Sequence, residues 1–496
     1  MTQQIPGTGP EPVPPTLPAR PLALVTSDDD ALVNGLPRRL RSRHLSMIGL
    51  GGVIGAGLFV GSGAGVALAG PGILVSYLGA GALAMAVMRM LGEMVALYPA
   101  NGSFSVHAEK ALGRWAGFTL GWMYWVMLVV VLAIEATAAA AILHGWVHAV
   151  APWVWVLALV TVFTLTNLAA VGTYGELEFW FALIKVVAII GFVALGLAAV
   201  FGWLPDPSSA SLSDTLSGHG GLLPRGWGGV LNGLLAVVFS FGGMELVTLA
   251  AAETGDPSRA IGRAVSSTAW RILLFYVGSI TVVVMLLPWN SSGIGDSPYV
   301  AVLDRIGVRS AGQVMTVVVL VALLSALNAN LYGASRLLHS LALRGEAPRQ
   351  LARLSGRQVP RAAILCSVLV GYVSVLLNVF WPDSVFLYLA DAIGGVVLAV
   401  WAMIACTQLR MRRLMAPGQA AASLTVRSWG YPYANWAVLA AIAVIVGLLL
   451  HQGGGVSLLC TLVLLAVLLA AALLREVLLR RRAEPDRSSD PGAGES

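Results

Sequence analysis

The chain has 496 residues, 57% of them hydrophobic and only 11% charged, with a mean hydropathy of +0.82. A soluble protein carries roughly 25% charged residues, and a soluble core of this size would split into domains joined by polar linkers that this sequence lacks. Apolar stretches of about 20 residues recur instead, each long enough at about 1.5 Å per residue to cross roughly 30 Å of hydrocarbon. The chain reads as an all-α polytopic membrane protein.

In chain order, residues 1–44 are rich in proline, carry the run Asp28-Asp29-Asp30 and hold no apolar core of signal-peptide length, so they read as a disordered cytoplasmic tail. Twelve spans are expected, at 46–66, 71–97, 117–145, 152–170, 179–202, 229–252, 271–289, 313–341, 361–380, 385–409, 434–451 and 455–475. They divide into a ten-helix core (45–410), a closing helix pair (411–477) and a second tail (478–496). An even number of spans puts both termini on one side. Of the 30 basic residues, only Arg225, Arg305 and Arg309 fall on the other side, and Lys185 falls within a span. The positive-inside rule makes the basic side cytoplasmic. The net charge of +6 is therefore a topology signal and not a nucleic-acid footprint. Cys366, Cys406 and Cys460 all lie in spans, where they read as small apolar packing residues rather than a disulfide framework.

Span 1 contains Gly49-Leu50-Gly51-Gly52-Val53-Ile54-Gly55-Ala56-Gly57-Leu58-Phe59, and span 6 contains Phe239-Ser240-Phe241-Gly242-Gly243-Met244-Glu245. Each glycine lowers helix propensity by about 1 kcal/mol, so both spans are expected to break, although glycines also serve close helix packing. Spans 1 and 6 enter the membrane from opposite sides. Matched breaks so placed are the signature of a five-plus-five inverted repeat with the substrate between the halves. Amides freed at a half-helix start bind an anion and freed carbonyls a cation. The amides of Gly55, Ala56 and Gly57 are therefore assigned to a carboxylate, and the carbonyls of Val53, Phe239 and Gly242 to an ammonium, with Phe239 and Phe241 closing over the ligand.

Ionisable groups at membrane depth are costly and each needs an account. Arg89 and Glu93, four apart on span 2, read either as a structural pair or as part of an inner gate. Glu135 faces the substrate or hydrogen-bonds another helix. Glu245 accepts bonds from unwound amides or titrates on the transport path. Lys185 is the most informative, since the sequence holds 28 Arg against two Lys, and only lysine can lose its proton when buried. Proton carriage and snorkelling towards the cytoplasmic end both remain open for it. Ser240 and Asn328 join Glu135 as candidate linings of the side-chain pocket. The arginines at 344, 349, 353 and 357 read as a basic, lipid-facing topology anchor. No metal-ligand cluster, nucleophile motif or phosphate loop occurs, so neither an enzyme nor a cofactor is expected.

The residues resemble an amino-acid permease of the amino acid–polyamine–organocation superfamily, in the branch that carries γ-aminobutyrate, aromatic amino acids, proline and lysine. The matching segments are the two broken spans quoted above, Met88-Arg89-Met90-Leu91-Gly92-Glu93-Met94, Tyr98 to Phe104, Gly175-Glu176-Leu177-Glu178-Phe179-Trp180-Phe181-Ala182-Leu183-Ile184-Lys185 and Ser325-Ala326-Leu327-Asn328. The resemblance implies secondary active transport by alternating access, an amino acid imported with a proton, and Lys185 as the proton site with Ser325 as its neighbour. Ala56 departs from relatives that carry Thr or Ser there, leaving the carboxylate to the backbone alone. An amino acid or amine exchanger and a non-transporting nutrient sensor are the rival readings.

Overall fold

The computed structural model describes residues 42–97, 104–169, 174–203, 220–251, 257–291, 294, 297–356, 358–382, 384–415, 426–451 and 456–483. Both expected tails lie almost wholly outside these residues, as do most of the external loop after span 5 and Arg357. Among the described residues every regular element is helical, as the mean hydropathy requires. In a bilayer only helices and closed barrels satisfy their own backbone groups.

Span 1 is built from three pieces, α1 (Ser42–Gly51), α2 (Ala56–Phe59) and α3 (Gly61–Ala69). A short 3-10 turn at Gly70–Gly72 leads into α4 (Ile73–Leu97). The first half continues with α5 (Ser105–Leu112), α6 (Arg114–Trp146), α7 (Pro152–Ala169) and α8 (Tyr174–Val200). The second half repeats this order. Span 6 comprises α9 (Gly226–Phe241) and α10 (Leu246–Ala251), followed by α11 (Pro257–Leu286), the short α12 (Pro298–Arg305), α13 (Arg309–Leu343), α14 (Arg361–Phe380) and α15 (Val385–Leu414). Two further helices, α16 (Tyr433–His451) and α17 (Val456–Ala483), close the chain.

Eleven stretches among the described residues are long and apolar enough to cross a membrane. The first, Ala56–Leu97, has 42 residues, about twice the ~20 that one crossing takes, and it turns at Gly70–Gly72. It therefore supplies the end of span 1 and all of span 2, which gives the twelve crossings expected. The helix of span 7 starts earlier than the expected 271, because α11 runs unbroken from Pro257 to Leu286. The two eight-residue helices α5 and α12, each leading into the long third helix of its half, were not anticipated.

Packing follows the repeat. The third helices α6 and α13 cross each other, as do α4 with α11 and α7 with α14. Where α1 lies on α8, α9 lies on α15, and where α9 lies on α4, α1 lies on α11. The inverted repeat is thus visible in which helix touches which.

Two polar clusters tie the extra helices to the core. The Glu93 carboxylate on α4 accepts from Arg412 Nε (2.6 Å) and Nη2 (2.8 Å) on α15, from Gln408 Nε2 (2.7 Å), and from the Ser428 amide just before α16. Arg89 instead donates to the Arg427 carbonyl (2.9 Å) and lies over the Trp429 ring. The expected Arg89–Glu93 pair is thereby corrected. A buried carboxylate demands more donors than one neighbour on its own helix can present, and Gln408, Arg412 and the segment before α16 supply them. Arg344, expected on a lipid-facing surface, instead bridges Glu109 (3.3 Å) and Glu346 (2.9 Å). Arg475 on α17 donates to the Gly345 carbonyl beside them. Cys366 and Cys406 are half-buried, whereas Cys460 is exposed on the outer face of α17 rather than packed.

Candidate functional site

The first break runs from Gly52 to Gly55. It forms because glycines crowd the end of α1, whose last turn closes with Gly52 N donating to Ile48 O (2.9 Å) and Ile54 N to Leu50 O (3.1 Å). Beyond it, α2 starts afresh, and the first amides of a helix have no intrahelical partner. The Ala56 amide finds one across the site, facing both oxygens of Glu135 from α6 at 3.0 Å each.

The second break runs from Gly242 to Glu245. Gly242 is extended and Gly243 turns with φ +97°, a left-handed conformation that a side chain would strain. The freed Gly243 amide donates to Glu245 Oε2 (3.0 Å), and Glu245 Oε1 accepts from Trp401 Nε1 on α15 (2.6 Å). Glu245 thus holds the unwound backbone, one of the two roles anticipated for it.

The breaks are bolted together. Ser240 Oγ donates to the Gly57 carbonyl (2.6 Å). The Tyr276 hydroxyl on α11 reaches the Val53 carbonyl (3.0 Å) and the Ser240 carbonyl (2.9 Å), joining both broken spans. A Cβ at Gly57 would stand 2.7 Å from Ser240 Cα, and backbone cannot step aside. Gly57→Ala is therefore expected to force spans 1 and 6 apart and to abolish uptake while leaving the amount of inserted protein unchanged, as read by transport assay beside a blot of the membrane fraction.

Every residue from Gly51 to Phe59 is buried, as is the stretch from Phe239 to Leu249 apart from the half-buried Gly242. Aromatic rings pack over one side of the breaks. Tyr299 on α12 packs against Phe59 (5.0 Å between ring centres) and Phe192 (4.7 Å), its hydroxyl 2.8 Å from Ser279 Oγ. Phe241 packs on Tyr276 (5.0 Å) and Tyr77 (6.2 Å). On the other side, α1 is seated on α8 and α11.

Lys185, fully buried on α8, donates from Nζ to the Gly51 carbonyl at 2.7 Å. It does not snorkel. Its electrostatic neighbours are Glu178 and Glu135. Ser325 Oγ on α13 donates to Glu178 Oε1 (2.6 Å), so the neighbour expected for Lys185 reaches it through a carboxylate. Asn328 is committed elsewhere, because its Oδ1 accepts from Asn167 Nδ2 on α7 (2.8 Å) and not from the break.

The arrangement brings Val53, Gly55, Ala56, Gly57, Glu135, Phe239, Ser240, Phe241, Gly242 and Glu245 to one place, with Lys185 at the α1 end of the first break. It adds Tyr276 and Trp401 to the breaks and sets Glu178 beside Lys185, outside the cradle; sequence reasoning missed all three. Glu178 falls one residue outside the expected span 5, yet its spacing of seven from Lys185 sets both on one face of α8. A tyrosine or tryptophan in an apolar span carries no such signal.

Chemically, the site has an amide pole and a carbonyl pole set side by side in a dry interior. The chain's own groups occupy both, Glu135 at the amides and the Tyr276 hydroxyl at the Val53 carbonyl. A helical bundle with two spans broken face to face at mid-membrane is the build of a membrane transporter. The comparisons narrow that class. The family model described as amino acid permease matches residues 44–475. The chain is 48% identical to the gamma-aminobutyric acid permease of Bacillus subtilis (strain 168) over 413 residues, 83% of this chain and 88% of that protein. It is 44% identical over 427 residues to the aromatic amino acid transport protein AroP of Corynebacterium glutamicum, covering 85% of this chain and 91% of the relative. It is 43% identical over 415 residues to the gamma-aminobutyric acid permease of Escherichia coli (strain K12), covering 83% and 88%. The chain belongs to the amino acid permease family.

Proposed function

We propose that the chain imports an amino acid or γ-aminobutyrate together with a proton across the cell membrane, by alternating access, with both termini in the cytoplasm. The observation that carries the reading is the pair of facing breaks, whose amide end attracts a carboxylate and whose carbonyl end attracts an ammonium. A zwitterion completes both poles at once. The charge asymmetry of the loops supports the orientation, and the names of the relatives support the substrate class, with γ-aminobutyrate and aromatic amino acids the first to test.

For the cargo to bind, its carboxylate takes the Ala56 amide from Glu135 and its ammonium takes the Val53 carbonyl from Tyr276. Two carboxylates in a dry cradle repel, so Glu135 withdraws or takes a proton as the cargo arrives. That exchange is a direct source of coupling between substrate and proton. Lys185, which can shed its charge as arginine cannot, holds α1 to α8 by a charge-assisted bond when protonated and by a weaker, neutral one when it is not.

The test uses the purified chain in liposomes loaded with buffer. Radiolabelled γ-aminobutyrate, phenylalanine and tyrosine are offered with the outside acid and with no gradient. Accumulation of one of them driven by the gradient is the expected result. Uptake that runs equally well without a gradient, given amino acid inside, would replace this reading by one-for-one exchange. Binding with no flux at all would replace it by a sensor.

A further inference from the structure

Glu178 has no part in the substrate cradle, yet it is fully buried, in the first turns of α8 on the cytoplasmic side. Seven residues, about 10 Å of helix rise, separate it from Lys185 on the same face. Its Oε1 accepts from Ser325 Oγ at 2.6 Å, and its Oε2 has no hydrogen-bond partner among the described residues. Gly51 joins it to Lys185. The Gly51 carbonyl accepts from Lys185 Nζ at 2.7 Å, and its Cα faces the Glu178 carboxylate so closely that a Cβ there would strike Oε1. Ammonium and carboxylate therefore rest against one and the same residue, at the cytoplasmic end of the first break.

The surroundings leave few other partners for a proton. Among the described residues, the charged groups interacting with Lys185 are Glu135 from α6 and Glu178 on its own helix. Glu178 meets Lys185 and the neutral hydroxyl of Ser325 from α13. From α11 the nearby titratable group is the Tyr276 phenol, and it is engaged by the Val53 and Ser240 carbonyls. The next acidic residue on α8, Glu176, is exposed.

We propose that Glu178 is the cytoplasmic relay for the proton that Lys185 carries, an inference that rests on the proton-coupled reading above. In the step, Nζ swings from the Gly51 carbonyl to the carboxylate, one Nζ–H bond of Lys185 breaks and an O–H bond forms on Glu178, leaving a neutral amine and a neutral carboxylic acid. That O–H bond then breaks to cytoplasmic water and restores the carboxylate. The amine recovers its proton from the outward side in the next cycle. The competing role is purely architectural, with Glu178 holding α8 to α13 through Ser325.

The experiment separates them in liposomes containing the full chain, with the relatives' substrate that the wild type accumulates. Glu178→Gln keeps an oxygen to accept from Ser325 and loses the ability to carry a proton. Gradient-driven uptake and proton entry, followed with a trapped pH dye, are expected to fall about 100-fold, the scale of a lost positioned acid–base group. Counterflow at equal pH, which needs no net proton passage, is expected to continue at the wild-type rate. Glu178→Gln with full gradient-driven uptake overturns the relay. Equal loss of uptake and counterflow, reproduced by Ser325→Ala, also overturns it in favour of the architectural role. A wild type indifferent to the gradient sinks the proton-coupled reading itself, whereas a gradient-driven wild type beside a gradient-driven Glu178→Gln sinks the relay alone.

Discussion

Lys185→Arg is expected to lose gradient-driven uptake while still binding substrate. The guanidinium keeps its charge at every working pH and is too broad for the place one ammonium occupies beside the Gly51 carbonyl. The transport cycle then stops, because the charge can be neither shed nor seated at the Gly51 carbonyl. Lys185→Ala removes a charged hydrogen bond of about 1.5–3 kcal/mol and leaves Glu135 and Glu178 without the cation between them, which corresponds to roughly 10- to 100-fold weaker closure. Uptake into liposomes with an acid outside measures both variants, and a thermal-shift titration with substrate measures binding separately. If Lys185→Arg transports at the wild-type rate with the gradient imposed, lysine deprotonation is not part of the cycle.

The second large effect concerns stability. Truncating Arg412 to alanine strands the buried Glu93 carboxylate with Gln408 and the Ser428 amide alone. Removing one partner of a buried ion pair costs about 3–5 kcal/mol, so Arg412→Ala is expected to melt well below the wild type in detergent and to shed α16 first. Replacing both members, Glu93→Leu with Arg412→Leu, leaves no orphaned charge and should recover most of the loss. A double variant as unstable as Arg412→Ala would mean that the hydrogen bonds to Gln408 and Ser428, and not the ion pair, hold the helices together. Melting temperatures at one fixed scan rate give the ranking, since membrane proteins unfold irreversibly.

These two sites mark where sequence reasoning succeeds and where it stops. The spans are legible because lipid as solvent leaves helices of fixed length as the remaining choice, and composition alone reports it. The breaks are legible because glycine clusters at matched places in two halves point to unwound backbone more strongly than to close packing. Lys185 stands out because the chain otherwise writes its basic residues as arginine. What stays hidden is partnership. Arg89 lies one turn from Glu93 and looks like its mate, whereas the true partner, Arg412, is 319 residues away and becomes a neighbour only once α4, α15 and the start of α16 have packed. Tyr276 and Trp401 are invisible for a different reason, since an aromatic ring in an apolar span reads as filler until its one polar atom is seen to meet a break. Glu178 is lost to a boundary, because a carboxylate at the first turn of a span reads as loop.

The occupation of both poles by the protein's own groups has a kinetic consequence. A carrier has to reorient after releasing its cargo, and the barrier to doing so depends on what the vacated amides and carbonyls meet in the dry, closed intermediate. Left bare, they would each cost on the order of 1–3 kcal/mol, and the empty carrier would stall until a second cargo molecule arrived. Here Glu135 and Tyr276 cover those groups, and in the proposed cycle this lets the unloaded molecule shut and turn round by itself. Net accumulation requires that freedom, and a strict one-for-one swap forbids it. In the proposed cycle, the same two side chains that the cargo displaces on entry therefore bear on whether the cell gains amino acid or merely trades it.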